Sequence, residues 1–103
     1  MRDRRGGMGP RAHAPSRLSL LRDEVRYQPS SPDAYFELGY EYFRLRNYVD
    51  AAISFKRVLL SRPQDVEALN NYGVCLYRTG RGDRAREALE RGADAGRDPR
   101  RRP

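Results

Sequence analysis

Displaced by 34 residues, the chain falls on itself. Gly39 lands on Gly73, Ala51 on Ala85, Ala34 on Ala68, Arg44 on Arg78 and Asp33 on Glu67. Apolar positions superpose in the same register: Tyr35 on Leu69, Leu38 on Tyr72, Tyr42 on Leu76 and Phe55 on Leu89, while one step backwards carries Pro63 onto Pro29. Agreement at a single displacement means one supersecondary unit used more than once, and such units bury their apolar faces only against each other.

The unit is helical. Tyr35, Leu38, Gly39 and Tyr42 recur at three- and four-residue steps, which predicts a helix over 33–45, with Ser31 as its cap and Pro32 in the first turn where a missing N–H costs nothing. Ala51, Ala52, Phe55, Val58 and Leu59 predict a second over 49–61, stopped before Pro63. Asp65 caps a third that runs to Arg78 or Thr79 with Leu69, Tyr72, Gly73 and Leu76 inward. Gly80 and Gly82 mark a turn, and Ala85, Ala88 and Leu89 carry a fourth helix whose pattern weakens at Gly92 and Gly96. Leu18, Leu21 and Val25 stripe one more amphipathic segment over 17–28. No run alternates with the two-residue period of a strand.

Laid on these residues, the sequence resembles the tetratricopeptide repeat family, whose pattern is an aromatic, Leu-Gly, Tyr, then Ala, Phe and Pro over 34 residues. Tyr35, Leu38-Gly39, Tyr42, Ala51, Phe55 and Pro63 meet it, with Tyr for Trp and Val58 where the family has a small Ala. The second copy reads Leu69, Tyr72-Gly73, Leu76, Ala85 and Leu89, with Arg97 in place of Pro. The resemblance covers about 31–96. It implies an all-α fold, antiparallel helical hairpins stacked as a short solenoid of about five helices: a half repeat at 17–30, one repeat at 32–65 and another at 66–96. Pentatricopeptide repeats are also helical hairpins and read RNA, but their period is one residue longer and they lack the Leu-Gly and Ala-x-x-x-Phe arrangement.

Packing accounts for most of these residues without the family. Gly39 with Ala51, and Gly73 with Ala85, are small where two helices of a hairpin approach, while Tyr35, Leu38, Tyr42 and Phe55 fill the space between them. Left over is a second stripe on the first helix, Phe36, Tyr40 and Phe43, matched in the next hairpin by Asn70, Val74 and Tyr77 with Asn71 and Arg78 beside them. In proteins of the family this face lines a concave groove for an extended peptide or a partner helix. Asn amides there would bond a ligand backbone while rings take its apolar side chains. The alternative is that residues 17–28, or another copy of the chain, cover the stripe. Some family members clamp a C-terminal carboxylate with Lys, Arg and Asn; here Phe36 and Tyr40 stand where that clamp has Lys and Asn, and only Asn71 matches.

Charge separates the ends from the repeat. The formal net charge is +7, from 21 basic and 14 acidic side chains. Residues 1–17 sum to +4, residues 97–103 to +3, and residues 18–96 to zero. The ends, 1–16 and 97–103, are expected to be disordered basic tails, too polar and too rich in Gly and Pro to offset their ordering entropy. Arg2, Arg4 and Arg5 and the run Arg100-Arg101-Arg102 could grip nucleic acid or a ribosomal surface with salt-sensitive, sequence-blind affinity. No aromatic is interleaved with them, so base stacking is not implied. The use of Arg almost throughout, with Lys56 as the single Lys, agrees with the Ala, Gly and Pro bias of a GC-rich coding sequence.

Other classes find no residues to support them. No apolar run approaches the roughly 18 residues of a membrane span, nor does a secretory h-region follow Arg17. One cysteine, Cys75, and one histidine, His13, cannot build a disulfide framework or a four-ligand zinc site, and no Ser, His and acid set assembles around His13. Gly6-Gly7-Met8-Gly9 and Gly80-Arg81-Gly82 follow no strand and do not read as phosphate cradles. The expectation is a non-catalytic, cytoplasmic scaffold without metal or cofactor that binds a protein or peptide. Because two and a half repeats fall short of the three normally needed, self-association through the last helix, around Ala88, Leu89 and Ala93, or marginal stability is also expected.

Overall fold

The computed structural model describes residues 15–97, and within them five helices follow one another: α1 (Arg17–Tyr27), α2 (Pro32–Arg44), α3 (Tyr48–Ser61), α4 (Val66–Arg78) and α5 (Gly82–Arg97). Each start has a local cause. Ser31 Oγ accepts from the Ala34 N–H at 3.1 Å with Pro32 in the first turn, and Asp65 Oδ1 accepts from the Ala68 N–H at 2.9 Å. Ser16 and Asn47 cap α1 and α3 through the N–H groups of Ser19 and Asp50. Each cap satisfies one donor that a helix start would leave without a partner.

Packing runs from each helix to the next, α1 on α2, α2 on α3, α3 on α4 and α4 on α5, which is the quasi-one-dimensional order of a repeat stack. Ala51, Ala52, Phe55 and Cys75 form the main core, with Phe36, Tyr42, Phe43, Tyr48 and Tyr72 against it. Leu76, Ala85 and Ala88 form a second cluster, and Tyr72 touches both. Phe55 is fully buried, and its ring lies so near Gly39 that a Cβ there would meet it at 3.1 Å. Gly73 plays the same part under Leu89, whose Cγ and Cδ2 would lie 2.7 Å from an added Cβ.

Two features of the last helix go beyond its periodicity. The pattern that fades at Gly92 and Gly96 does not end the helix, and α5 continues to Arg97. Gly92 is buried inside α5 where the helix meets α4, and the atom nearest to where a Cβ would stand, Asn70 Oδ1 at 2.6 Å, belongs to an exposed side chain. The last helix also provides its own polar end. Ala85, Ala88, Gly92 and Ala95 face inward, while Arg84, Arg86, Glu87, Glu90, Arg91, Asp94 and Arg97 face out. Of the expected tails, 1–14 and 98–103 lie outside the described residues. Ser16 belongs to the α1 cap and Arg97 to α5.

Candidate functional site

The residues expected to pack do so to different depths. Leu38, Gly39, Ala51, Phe55, Leu69, Gly73, Leu76 and Ala85 are buried. Tyr35, Tyr42 and Tyr72 are half-buried. The Tyr35 ring carries the Arg57 guanidinium 4.6 Å from its centroid, and the Tyr72 hydroxyl accepts from Arg84 Nη2 at 3.4 Å. Leu89 lies on Gly73 yet stays 39% exposed. Pro63 is exposed in the α3–α4 turn, where its carbonyl accepts from Arg91 Nη2 at 3.0 Å.

The second stripe is not uniform. Phe36 is half-buried and meets Phe55 edge to face at 5.5 Å, so it is anchored to the core. Phe43 is half-buried and meets Tyr48 in the same way at 5.5 Å. Tyr40, between them, is 52% exposed with α1 in place, and Tyr77 on α4 is 69% exposed. Val74 and Asn71 are half-buried. Asn70 is exposed and its amide oxygen lies toward Gly92 of α5. Arg78 lies over the Tyr48 ring, 5.3 Å from its centroid.

Of the stripe residues, Tyr40, Phe43 and Arg78 meet at one cleft of about 360 Å³, which Arg44, Arg46 and Tyr48 complete, while Phe36, Asn70, Asn71, Val74 and Tyr77 do not line it. Helix α2 supplies three of the six, the α2–α3 turn one, and the starts and ends of α3 and α4 the others. A larger cleft of about 440 Å³ lies by the α3–α4 turn and α5, but Arg91 is tied to the Pro63 carbonyl there and Asp94 to Arg97 at 2.6 Å. Both of its charged side chains are thus engaged within the fold.

Behind the first cleft is a charge that the periodicity did not mark. Glu41 is only 3% exposed, on the α2 face toward α1. Arg44 donates to it twice, from Nε at 3.1 Å and Nη2 at 2.6 Å, and Arg17 of α1 approaches to 3.6 Å. The Arg44 hydrogen bonds, helped by the charges of Arg44 and Arg17, hold the Glu41 carboxyl below its ordinary range against the opposing effect of burial. Cys75 is the reverse case. Desolvation pushes its thiol up to about 11, which leaves it a small apolar core residue rather than a nucleophile. Among the described residues no group of three or more His, Cys, Asp and Glu is placed to hold a metal ion.

Comparison with family models matches the tetratricopeptide repeat over residues 18–59 and again over 36–99. The chain belongs to that family. The first match begins on α1, and the second reaches through α5. A search of curated proteins finds no match. Tetratricopeptide repeats generally mediate contacts between proteins, and no helix among the described residues is long and apolar enough to cross a membrane.

Sequence reasoning missed Tyr48, Arg46 and Glu41. Tyr48 opens α3 and was hidden by its position in a turn-proximal segment. Arg46 had a signal: the 34-residue displacement that aligns the repeats sets it against Gly80. Glu41 had a weaker one, its i,i+3 spacing from Arg44.

Proposed function

We propose that the concave face of α2 and α4 binds an extended peptide or a partner helix, through Phe36, Tyr40, Phe43, Asn70, Asn71, Val74, Tyr77 and Arg78. The observation that carries this reading is the contrast within each helix. Leu38 and Leu76 are buried while Tyr40 and Tyr77, one or two residues along, stand in solvent. Exposed tyrosines held on rigid helices are suited to recognition, since a ring contributes large contact area for little lost entropy and its hydroxyl can still bond. Phe36 and Phe43, half-buried and held by their contacts with Phe55 and Tyr48, support the groove floor.

In this reading the chain is a non-catalytic scaffold. The buried, unpaired Cys75 agrees with a reducing cytoplasm. Self-association through the last helix would have to use Leu89 and Ala93, because Ala88 is buried in the α4–α5 core. The test is amide chemical-shift mapping during titration with a peptide selected on the full chain. Shifts confined to α2, α4 and the α2–α3 turn are expected. Shifts centred on the outward faces of α3 and α5 would place the ligand elsewhere and sink the reading.

A further inference from the structure

The two hairpin turns share a bonding pattern and differ in the residue at its left-handed position. Helix α2 ends with the Arg46 N–H donating to the Phe43 carbonyl at 2.9 Å and the Asn47 N–H to the Tyr42 carbonyl at 2.8 Å. Helix α4 ends with the Gly80 N–H on the Tyr77 carbonyl at 3.1 Å and the Arg81 N–H on the Leu76 carbonyl at 2.8 Å. This pair of bonds needs a left-handed residue just past the helix. The second turn uses glycine there, Gly80 at φ 82°, whereas the first uses Arg46 at φ 64°. A left-handed backbone is unfavourable for an L side chain, and nothing in the bonding of the turn calls for one. The Arg46 side chain instead lines the aromatic cleft.

Among the described residues neither Arg46 nor Arg78 has a carboxylate partner. The adjacent acid, Glu41, is buried and already engaged by Arg44 and Arg17. The cleft therefore holds two guanidinium groups without a carboxylate partner among the described residues, beside the rings of Tyr40, Phe43 and Tyr48, with Arg78 over the last of these. We propose that this cleft receives carboxylate side chains of an acidic, extended peptide, a proposal that rests on the groove reading and names its ligand chemistry. The guanidinium fork matches a carboxylate in two parallel bonds, as Arg44 already does with Glu41. In an extended segment residues two apart project to the same side, so an acid in the cleft sets an apolar neighbour on Tyr40. The chain's own ends do not suit the site, since residues 1–17 and 97–103 carry +4 and +3. Base stacking on Tyr48 is disfavoured, because Arg78 already lies over that ring.

The test is to pan a random dodecapeptide library on the full chain as wild type, Arg46→Gly, Arg78→Gln and Tyr40→Ala, and then to measure the best peptide by fluorescence anisotropy. Versions with Gln and Asn for its acids, a phosphoserine version and a 12-nucleotide oligo(U) RNA are measured beside it. Wild type should enrich Asp and Glu. Arg46→Gly and Arg78→Gln should each weaken the acidic peptide by about threefold to tenfold, with a salt dependence, and leave the amide version unchanged. Arg46→Gly should melt at the same temperature as wild type or a few degrees higher, because it removes the strained turn residue. Equal binding of acidic and amide peptides, or tighter binding of the phosphoserine peptide or the RNA, overturns the carboxylate proposal. Apolar peptides without acids, lost in Tyr40→Ala, would overturn it while leaving the groove intact. Selection of no peptide, or of the same peptides by Tyr40→Ala, overturns both.

Discussion

The two hairpins share a repeat and divide its tasks. In α2–α3 the position under the small glycine is Phe55, fully buried and braced by Phe36, and the same hairpin carries Tyr40, Phe43, Tyr48 and Arg46. In α4–α5 the corresponding residue is Leu89, 39% exposed, and the inner face of α5 is Ala85, Ala88, Gly92 and Ala95. One hairpin has large rings to bury and rings to spare; the other is closed by small residues and a charged exterior. The difference teaches that a repeat fixes where helices cross, through Gly39 and Gly73, but not how much apolar area each crossing hides. Burial scales with that area, so hairpin α2–α3 should hold most of the stability and α4–α5 should act as its lid.

The largest expected effect separates equivalent positions. Phe55→Ala should destabilise by about 3–5 kcal/mol, whereas Leu89→Ala should cost only about 1–2 kcal/mol because part of Leu89 is already in water. Urea unfolding of both variants measures this directly. Similar losses would mean that the hairpins contribute equally.

Glycine replacements sharpen the comparison. Gly39→Ala should destabilise by about 1–2 kcal/mol, since the new Cβ meets the immobile Phe55 ring and the Ser54 Cβ at 3.1 Å and outweighs the gain in helix propensity. Gly92→Ala should be neutral or stabilising by up to about 1 kcal/mol, because the atom in its way is the amide oxygen of exposed Asn70, which can rotate aside. Thermal melts of the two variants should move in opposite directions from wild type or leave Gly92→Ala unmoved.

The smallest effect concerns acid. Glu41 has a folded-state pKa below its unfolded value, so its contribution is fully present above the unfolded carboxylate range of about 4.3 and is lost as pH falls through the lower folded value. Melting temperature measured from pH 6 to pH 3 should therefore fall less steeply in Glu41→Gln than in wild type. Identical slopes would remove Glu41 from the linkage between α1 and α2.

What the sequence made legible follows from what periodicity can encode. The helices, the caps at Ser31 and Asp65, the close approaches at Gly39 and Gly73 and the burial of Phe55 were readable, because each is a local propensity or a position that recurs at 34 residues. The contact at Gly92 was not, because the residue weakens a helical pattern in isolation and shows its burial only when α4 lies against it. Nor was the depth of the groove stripe: three- and four-residue spacing places Phe36, Tyr40 and Phe43 on one face but cannot say that two of the rings lean on Phe55 and Tyr48. Arg78 stacking on Tyr48 joins residues of different helices and leaves no periodic trace.

The central claim is that Tyr40 is on the surface for a ligand and not for the fold. Tyr40→Ala, assayed together for peptide capture and thermal melting, tests it most directly. The account predicts a wild-type circular dichroism spectrum, a melting temperature within about 2 °C of wild type, as expected for a surface substitution, and loss of capture. A variant that still captures the same peptides, or one that melts ten or more degrees lower, as about 2 kcal/mol of lost packing would produce, would contradict it.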